Sequence, residues 1–168
     1  MALGQKTERR YLSISHGKVF EGTGNDRRQY DFISGNIEAI FTRTAHFGGE
    51  EVVRWHIHIK DGKEFYSLCL PYNSGVFKSI ILCLASCHNL TKNTPVVIEP
   101  YEGRNGYTKV VVTAGGERLD WVIKQLPEAE TVQVGGKAVK DTSKQMRLIS
   151  SYCDQIRARL GGNAEAKV

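Results

Sequence analysis

Four residues with side chains able to bind ions or donate hydrogen bonds, Arg54, His56, His58 and Lys60, alternate with apolar residues. Because successive side chains of a strand point to opposite faces, this period of two predicts a strand with one apolar face and one basic, imidazole-lined face. Such a face suits an anionic partner. Two imidazoles at i and i+2 could instead hold a metal ion, with Cys69 nearby across the next turn, but no third ligand of matching geometry is evident. We therefore expect no metal and no cofactor.

Catalysis has little support in the sequence. The motifs GxSxG, HExxH, GxGxxG and the P-loop are all missing. Asp31, Asp61 and Asp120 are scattered, and the run GTGND from Gly22 is not followed by a helix pattern that would present amide groups to a phosphate. We expect a binding protein rather than an enzyme.

Grooves that bind nucleic acid combine cations for the phosphates with aromatic rings on which bases stack. Both kinds of residue are interleaved on the expected strands and their joining loops. The predicted nucleic-acid-binding residues are Arg43, Phe47, Arg54, His56, His58, Lys60, Lys63, Phe65, Tyr72, Tyr101, Arg104, Tyr107 and Lys109. Among the aromatic residues, Tyr72, Tyr101 and Tyr107 lie at strand ends beside loops and are the best stacking candidates. Trp55 shares its face with apolar residues and is expected in the core, whereas for Trp121 both positions stay open.

The composition bounds these interpretations. The chain has 168 residues, of which 40% are hydrophobic and 24% charged, so it can bury a core. A net charge of +5 is compatible with a nucleic-acid partner but common among unrelated proteins. The four cysteines form no CxxC pair, which favours buried, reduced thiols. Without a signal-peptide pattern or a run long enough to span a membrane, we expect a cytoplasmic protein with no membrane partner.

The sequence pattern predicts a mainly β chain. Short strands should flank His16-Gly17, and residues 22–29 should form a flexible loop. A strand over 33–47, in which Gly35 marks a bulge or bend, is followed by a hairpin that turns at Asp61-Gly62. Next come a helix over 76–87 with Ser74 as N-cap, a hairpin over 95–113, and a last strand over 118–123. An amphipathic helix is expected over 143–160.

This order suggests four segments: an N-terminal hairpin and flexible loop (1–29), a barrel (30–124), a linker (125–142) and a C-terminal amphipathic helix (143–160). A helix between the third and fourth strands of a small, coiled antiparallel sheet is the connectivity of an OB-fold. We therefore predict a five-stranded antiparallel OB-fold-like barrel. A β-sandwich with a crossing helix is the main alternative.

The sequence blocks ISGNIEAIF, VRWHIHIKDGKEFYSLCLPY, FKSIILCLAS, PVVIEPYEGRNGYTKVVV and ERLDWVI resemble the OB-fold single-stranded DNA-binding proteins of tailed bacteriophages. The resemblance covers about residues 30 to 124. It implies sequence-independent coating of single-stranded DNA during phage replication or recombination, in the host cytoplasm. Many such proteins end in an acidic tail that recruits partners; this chain ends GGNAEAKV, so we do not expect recruitment of that kind.

Other functions stay open. The chain could be a virion or assembly module whose small β-barrel acts through protein contacts, in which case the C-terminal helix or exposed strand edges would build a defined oligomer. An OB-type domain could also recognise RNA or an oligosaccharide. The expected partner is single-stranded DNA, and a second copy of the chain is a further candidate.

Overall fold

A computed structural model describes residues 8–161, which fold into a mainly β protein with two helices. The strands are β1 (Arg9–Ser15), β2 (Lys18–Glu21), β3 (Arg28–Tyr30), β4 (Ile33–Phe47), β5 (Glu50–Asp61), β6 (Glu64–Pro71), β7 (Pro95–Glu102), β8 (Thr108–Ala114), β9 (Glu117–Arg118), β10 (Glu130–Val134) and β11 (Lys137–Asp141). The helices are α1 (Gly75–Ser86) and α2 (Ser143–Gly161). Within the described residues, no helix is both long and apolar enough to cross a membrane.

The sheet is larger than predicted and is not a closed five-stranded barrel. Nine strands pair in the order β3-β2-β1-β6-β5-β4-β7-β8-β9, and β10 pairs only with β11. Strands β4 to β7 form a Greek key, because β7 returns after α1 to lie beside β4. The sheet is mixed, since β1 runs parallel to β6. The outer edge of β6, where a five-stranded barrel would close, is therefore occupied by β1.

The N-terminal hairpin is part of this sheet rather than a separate appendage. Its predicted turn is confirmed: His16 and Gly17 have φ angles of 50° and 71°, as a tight hairpin turn requires. The turn also reaches β8, because the Gly17 amide donates to Thr108 Oγ1 at 3.1 Å. The loop expected to be flexible over 22–29 instead contains a 3-10 turn (Gly24–Asp26) and the start of β3.

Strand β4 carries both a close crossing and a bulge. Gly35 has φ +151°, and a Cβ there would lie 2.7 Å from Lys60 O and from Ile59 Cγ2. Only glycine therefore allows β4 to cross β5 so closely. The bulge itself lies between Ile37 and Ala39, where the register shifts. Beyond the bulge, Ile40 is buried while Ala39, Phe41 and Arg43 face outward, so the alternation of inward and outward side chains reverses at this point.

The turn between β5 and β6 is shifted by one residue from the prediction. Asp61 pairs with Glu64, so Gly62 and Lys63 are the two turn residues. Gly62 has φ +60°, which suits the first position of a type II′ turn, whereas Asp61 does not have a positive φ. Pro71 ends β6, and the predicted N-cap of α1 is confirmed because Ser74 Oγ accepts from the Phe77 amide at 3.1 Å.

The core lies between the inner side of the sheet and the two helices. Trp55 is buried, as expected, and stacks on Phe77 of α1 with ring centroids 4.4 Å apart. The predicted stripe on α2 is confirmed, since the following residues are all buried: Met146, Ile149, Cys153, Ile156 and Leu160. Arg157 also ties α2 to the sheet by donating from Nε to Ile40 O at 2.7 Å.

The segment between the sheet and α2 differs from its prediction. The strand expected over 118–123 is limited to β9, and the chain then packs irregularly on α1 through a bond from the Val122 amide to Leu82 O (3.0 Å). Trp121 is 40% exposed and donates to Ser79 Oγ at 2.9 Å. The expected linker over 125–142 contains the β10–β11 hairpin, in which Val134 and Val139 stay exposed.

Candidate nucleic-acid interface

The outward side of four neighbouring strands, β1, β6, β5 and β4, gathers cations and aromatic rings. Cross-strand register places Arg43 opposite Arg54, Phe41 opposite His56, and Lys60 opposite Phe65. On the far side of β6, Phe65 lies beside Arg9 of β1. We call this surface the basic face and define it by Arg9, Phe41, Arg43, Phe47, Arg54, His56, His58, Lys60 and Phe65.

The cations of the basic face lie over its phenylalanine rings. Arg43 Cζ is 5.2 Å from the centroid of Phe41, and Arg54 Cζ is 5.5 Å from that of Phe47. The Phe65 ring is shared by Lys60 Nζ at 5.5 Å and Arg9 Cζ at 5.7 Å. These cation–π contacts hold charge and aromatic surface side by side.

No carboxylate of the described residues lies within 4 Å of these four cations. Among residues 8–161, the ion pairs within 4 Å are those of Arg10, Lys18, Lys144 and Arg157. None of these lies on the basic face. A concentration of cations without counter-charges creates a positive potential that attracts anions.

The histidines are less exposed and less basic than the sequence indicated. His56 is 9% exposed, and its Nδ1 lies 3.0 Å from Ser67 Oγ and 3.3 Å from Cys69 Sγ. Burial, followed by the charges of Arg43 and Arg54, lowers the pKa of His56. Burial and then nearby cations lower the pKa of His58 to about 4. At neutral pH the imidazoles are therefore uncharged, and arginine and lysine supply the positive charge.

No third metal ligand lies beside the His56–Cys69 pair among residues 8–161. Within the described part of the chain, no three His, Cys, Asp or Glu side chains come together in a way that could hold a metal ion. Burial raises the pKa of the Cys69 thiol, so the pair consists of a thiol and a neutral imidazole. The two side chains pack against each other at the bottom of the basic face.

A groove of about 500 Å³ crosses one end of the basic face. Arg43 and Arg54 lie along one side of it, and His56 with Cys69 forms the floor. The other side comes from the N-terminal hairpin and the loop after it: Tyr11, Leu12, Ser13, Phe20, Gly22 and Thr23. This groove depends on the N-terminal hairpin joining the main sheet.

A second group of predicted residues surrounds the β7–β8 loop. Tyr101, Arg104, Tyr107 and Lys109 line a concavity of about 460 Å³. Tyr107 is 72% and Tyr101 42% exposed, so both rings are accessible for stacking. The Gly103 amide donates to Tyr107 O at 2.9 Å and shapes the loop.

The predicted site residues therefore fall on two surfaces and at two single positions. All seven of those on strands β4, β5 and β6 lie on the basic face, and four surround the β7–β8 loop. Lys63 occupies the β5–β6 turn. Tyr72 is separate, because its ring stacks on buried Trp55 (centroids 5.8 Å apart) on the opposite side of the sheet.

Sequence reasoning missed Arg9 and Phe41 of the basic face and Tyr11 of the adjacent groove. Phe41 faces outward because the bulge shifts the side-chain alternation of β4 by one residue. Arg9 and Tyr11 belong to the hairpin that was expected to be a separate unit. No local sequence pattern predicts that β1 pairs with β6, although the alternation in RRYLSIS is compatible with a strand.

Comparisons with protein families, with curated proteins and with solved structures found no match to this chain.

Proposed function

We propose that this protein binds single-stranded DNA, with little dependence on sequence, through the basic face. The observation that carries the proposal is the set of four cations, Arg9, Arg43, Arg54 and Lys60, that contact aromatic rings and have no carboxylate partner among residues 8–161. Single-strand binders combine a positively charged surface for the backbone with rings for the bases.

The aromatic residues favour a single strand over a duplex. Phe47 is 55% exposed beside Arg54, and Tyr11 is 55% exposed on the neighbouring hairpin. Rings of this kind stack on unpaired bases, and each such contact contributes about 1–3 kcal/mol. In a duplex the base faces are already stacked on each other, so the rings would add little.

The strand arrangement supports an OB-type protein. Strands β4 to β8 form a Greek key extended by one strand, with α1 between the third and fourth of them. OB-folds are partly open Greek-key barrels that bind oligonucleotides on strands 2 and 3 and on the loops joining strands 1–2 and 4–5. Here these are β5, β6, the Gly48-Gly49 turn and the β7–β8 loop, which carry most of the predicted site residues.

We place the activity in phage replication or recombination, in the host cytoplasm, because of the sequence resemblance. On this proposal the protein is a stoichiometric coating protein rather than an enzyme. Its affinity comes from phosphate neutralisation and stacking.

Fluorescence anisotropy of labelled oligo-dT tests the proposal. Neutralising four phosphates gives a slope of log affinity against log salt of about −2.8, which lowers affinity about 50-fold between 50 and 200 mM salt. Arg54→Ala should weaken binding and reduce the slope by about 0.7. The control Arg147→Ala, at an exposed position on α2, should leave both unchanged. Salt-independent binding, or no binding at 50 mM salt, would refute the proposal.

An assembly module would give a different result: no DNA binding and a defined oligomer. Helix α2, one element on which such an oligomer could be built, already packs within the fold. The apolar stripe of α2 is buried against the rest of the chain, with Ile149, Cys153 and Ile156 fully covered. Light scattering of the intact protein tests this alternative directly.

A further inference from the structure

Two arginines on the basic face lie directly opposite each other, which is unfavourable without a ligand. Arg43 of β4 and Arg54 of β5 are a cross-strand pair, and both are exposed. Residues paired in this way have Cβ atoms about 5 Å apart, so like charges there repel. Among residues 8–161, neither guanidinium group has a carboxylate within 4 Å or a hydrogen-bond acceptor.

The arginine side chains are nevertheless held in place. The guanidinium of Arg43 lies over Phe41 of the same strand, β4. The guanidinium of Arg54, on β5, lies over Phe47 of β4. A guanidinium over a ring keeps its edge N–H groups free to donate in a fixed fork. Both arginines line the same groove, so their free N–H groups are available to the oxygens of a phosphate group bound there.

The groove beside this pair has the dimensions of a small-ligand site. Its volume of about 500 Å³ lies within the range found for ligand pockets. Its floor is formed by His56 and Cys69, and the His56 ring is held by stacking on Phe41 outside the groove (5.5 Å, interplanar angle 8°). Its far side includes Tyr11 and buried Phe20.

We propose that this groove is a binding site for one nucleotide unit, with its phosphate bound across Arg43 and Arg54 and its base against the Tyr11 side. The inference rests on the proposed function in one respect: a phosphodiester of bound DNA would be the occupant in the complex. A free nucleoside monophosphate presents the same chemistry from another source. Binding of either neutralises the repulsion between the two arginines.

Thermal unfolding with small ligands tests the site. Thymidine 5′-monophosphate should raise the melting temperature of the wild type in a saturable way, inorganic phosphate should raise it less, and thymidine should have no effect. The double variant Arg43→Gln/Arg54→Gln should lose the response to both phosphates. Without ligand and at low salt, it should melt at or above the wild-type temperature, since the repulsion has been removed; this shows that the variant is folded. Arg147→Gln is the matched control and should respond as the wild type does.

Titration with oligo-dT separates this inference from the proposed function. If Arg43 and Arg54 share one phosphate, three phosphates rather than four are neutralised in the wild type, so its affinity should fall about 18-fold between 50 and 200 mM salt. In the double variant two phosphate contacts remain, and the affinity should fall only about 7-fold. A wild type that binds oligo-dT but gives no monophosphate response, together with an unchanged slope in the double variant, would overturn the nucleotide site and leave the proposed function intact. A monophosphate response without oligo-dT binding would support the site and overturn the function. A failure of both ligands would overturn both proposals.

Discussion

Acidification from pH 7.5 to pH 5.0 should destabilise this protein, because His58 is held uncharged within the basic face. Burial is the main cause of its low pKa, and the charges of Arg9 and Arg43 add to it. The folded-state pKa is about 4, whereas a free imidazole titrates near 6.5. The folded state therefore binds fewer protons than the unfolded state over this range. The stabilisation is complete above pH 6.5 and is lost as the pH falls towards 4.

The magnitude follows from the two pKa values. For one group titrating at 6.5 in the unfolded state and at 4 in the folded state, linkage gives a loss of about 2 kcal/mol between pH 7.5 and pH 5.0. His58 is only half-buried, and solvent around the ring reduces the expected loss to roughly 1–2 kcal/mol. His56 shifts in the same direction and adds to the loss.

Urea unfolding at the two pH values measures this effect. The free energy of unfolding should fall at pH 5.0 with little change in the m-value. The carboxylate of Glu21 does not confuse the comparison, because Arg10 lowers its pKa and its contribution is lost only in stronger acid.

The variant His58→Gln should reduce the pH dependence by most of the expected loss, since glutamine cannot be protonated. His46→Gln, at an exposed position on β4, is the control for replacing a histidine and should retain the wild-type loss. A wild type equally stable at both pH values, or an undiminished loss in His58→Gln, would refute the argument that the basic face holds neutral imidazoles.

Three further predictions concern the fold and the proposed DNA-binding surface. Gly35→Ala should lower the free energy of unfolding by about 3 kcal/mol or more in chemical denaturation, because the φ of Gly35 is +151° and an added Cβ would meet backbone atoms. Gly48→Ala, at φ +57° and with open space around it, should lower it by about 1–2 kcal/mol. Equal losses would contradict the close crossing of β4 and β5. Ile149→Ala should lower the free energy of unfolding by about 2–5 kcal/mol, since the side chain is fully buried. The mass measured by light scattering should not change; a change would mean that α2 holds an oligomer together. Adding oligo-dT should leave tryptophan emission unchanged, because Trp55 is buried and Trp121 lies against α1. If oligo-dT quenches the emission and Trp121→Phe abolishes that quenching, the DNA lies on another surface.

Structure determined by neighbours in sequence could be predicted. Helix α1 begins at a serine cap and α2 shows a stripe at helical spacing, and both patterns arise within single turns of the chain. The alternation through Trp55 correctly placed the inner side of β5. The His16-Gly17 turn was predicted because only a few residue types accept positive φ angles at such a turn.

Structure determined by distant pairing could not be predicted in the same way. The parallel pairing of β1 with β6 joins Arg9 to Phe65, and the residues between them carry no sign of it. The same pairing extends the sheet beyond the five predicted strands and creates the groove beside Arg54. An extra residue at 38 also moves Phe41 to the outer side, and whether a strand accepts such a bulge depends on its partner's register.

The chemistry of the basic face depends on this long-range packing. In isolation, the alternating run suggests that His56 and His58 are as available to an anion as Arg54. Packing against Phe41, with rings 5.5 Å and 4.7 Å away, buries both imidazoles and makes proton uptake costly. Arginine resists this effect because its pKa is too high for partial burial to discharge it. A face that binds anions over a wide pH range therefore requires arginines at its rim, whereas the histidines at its floor need not be charged.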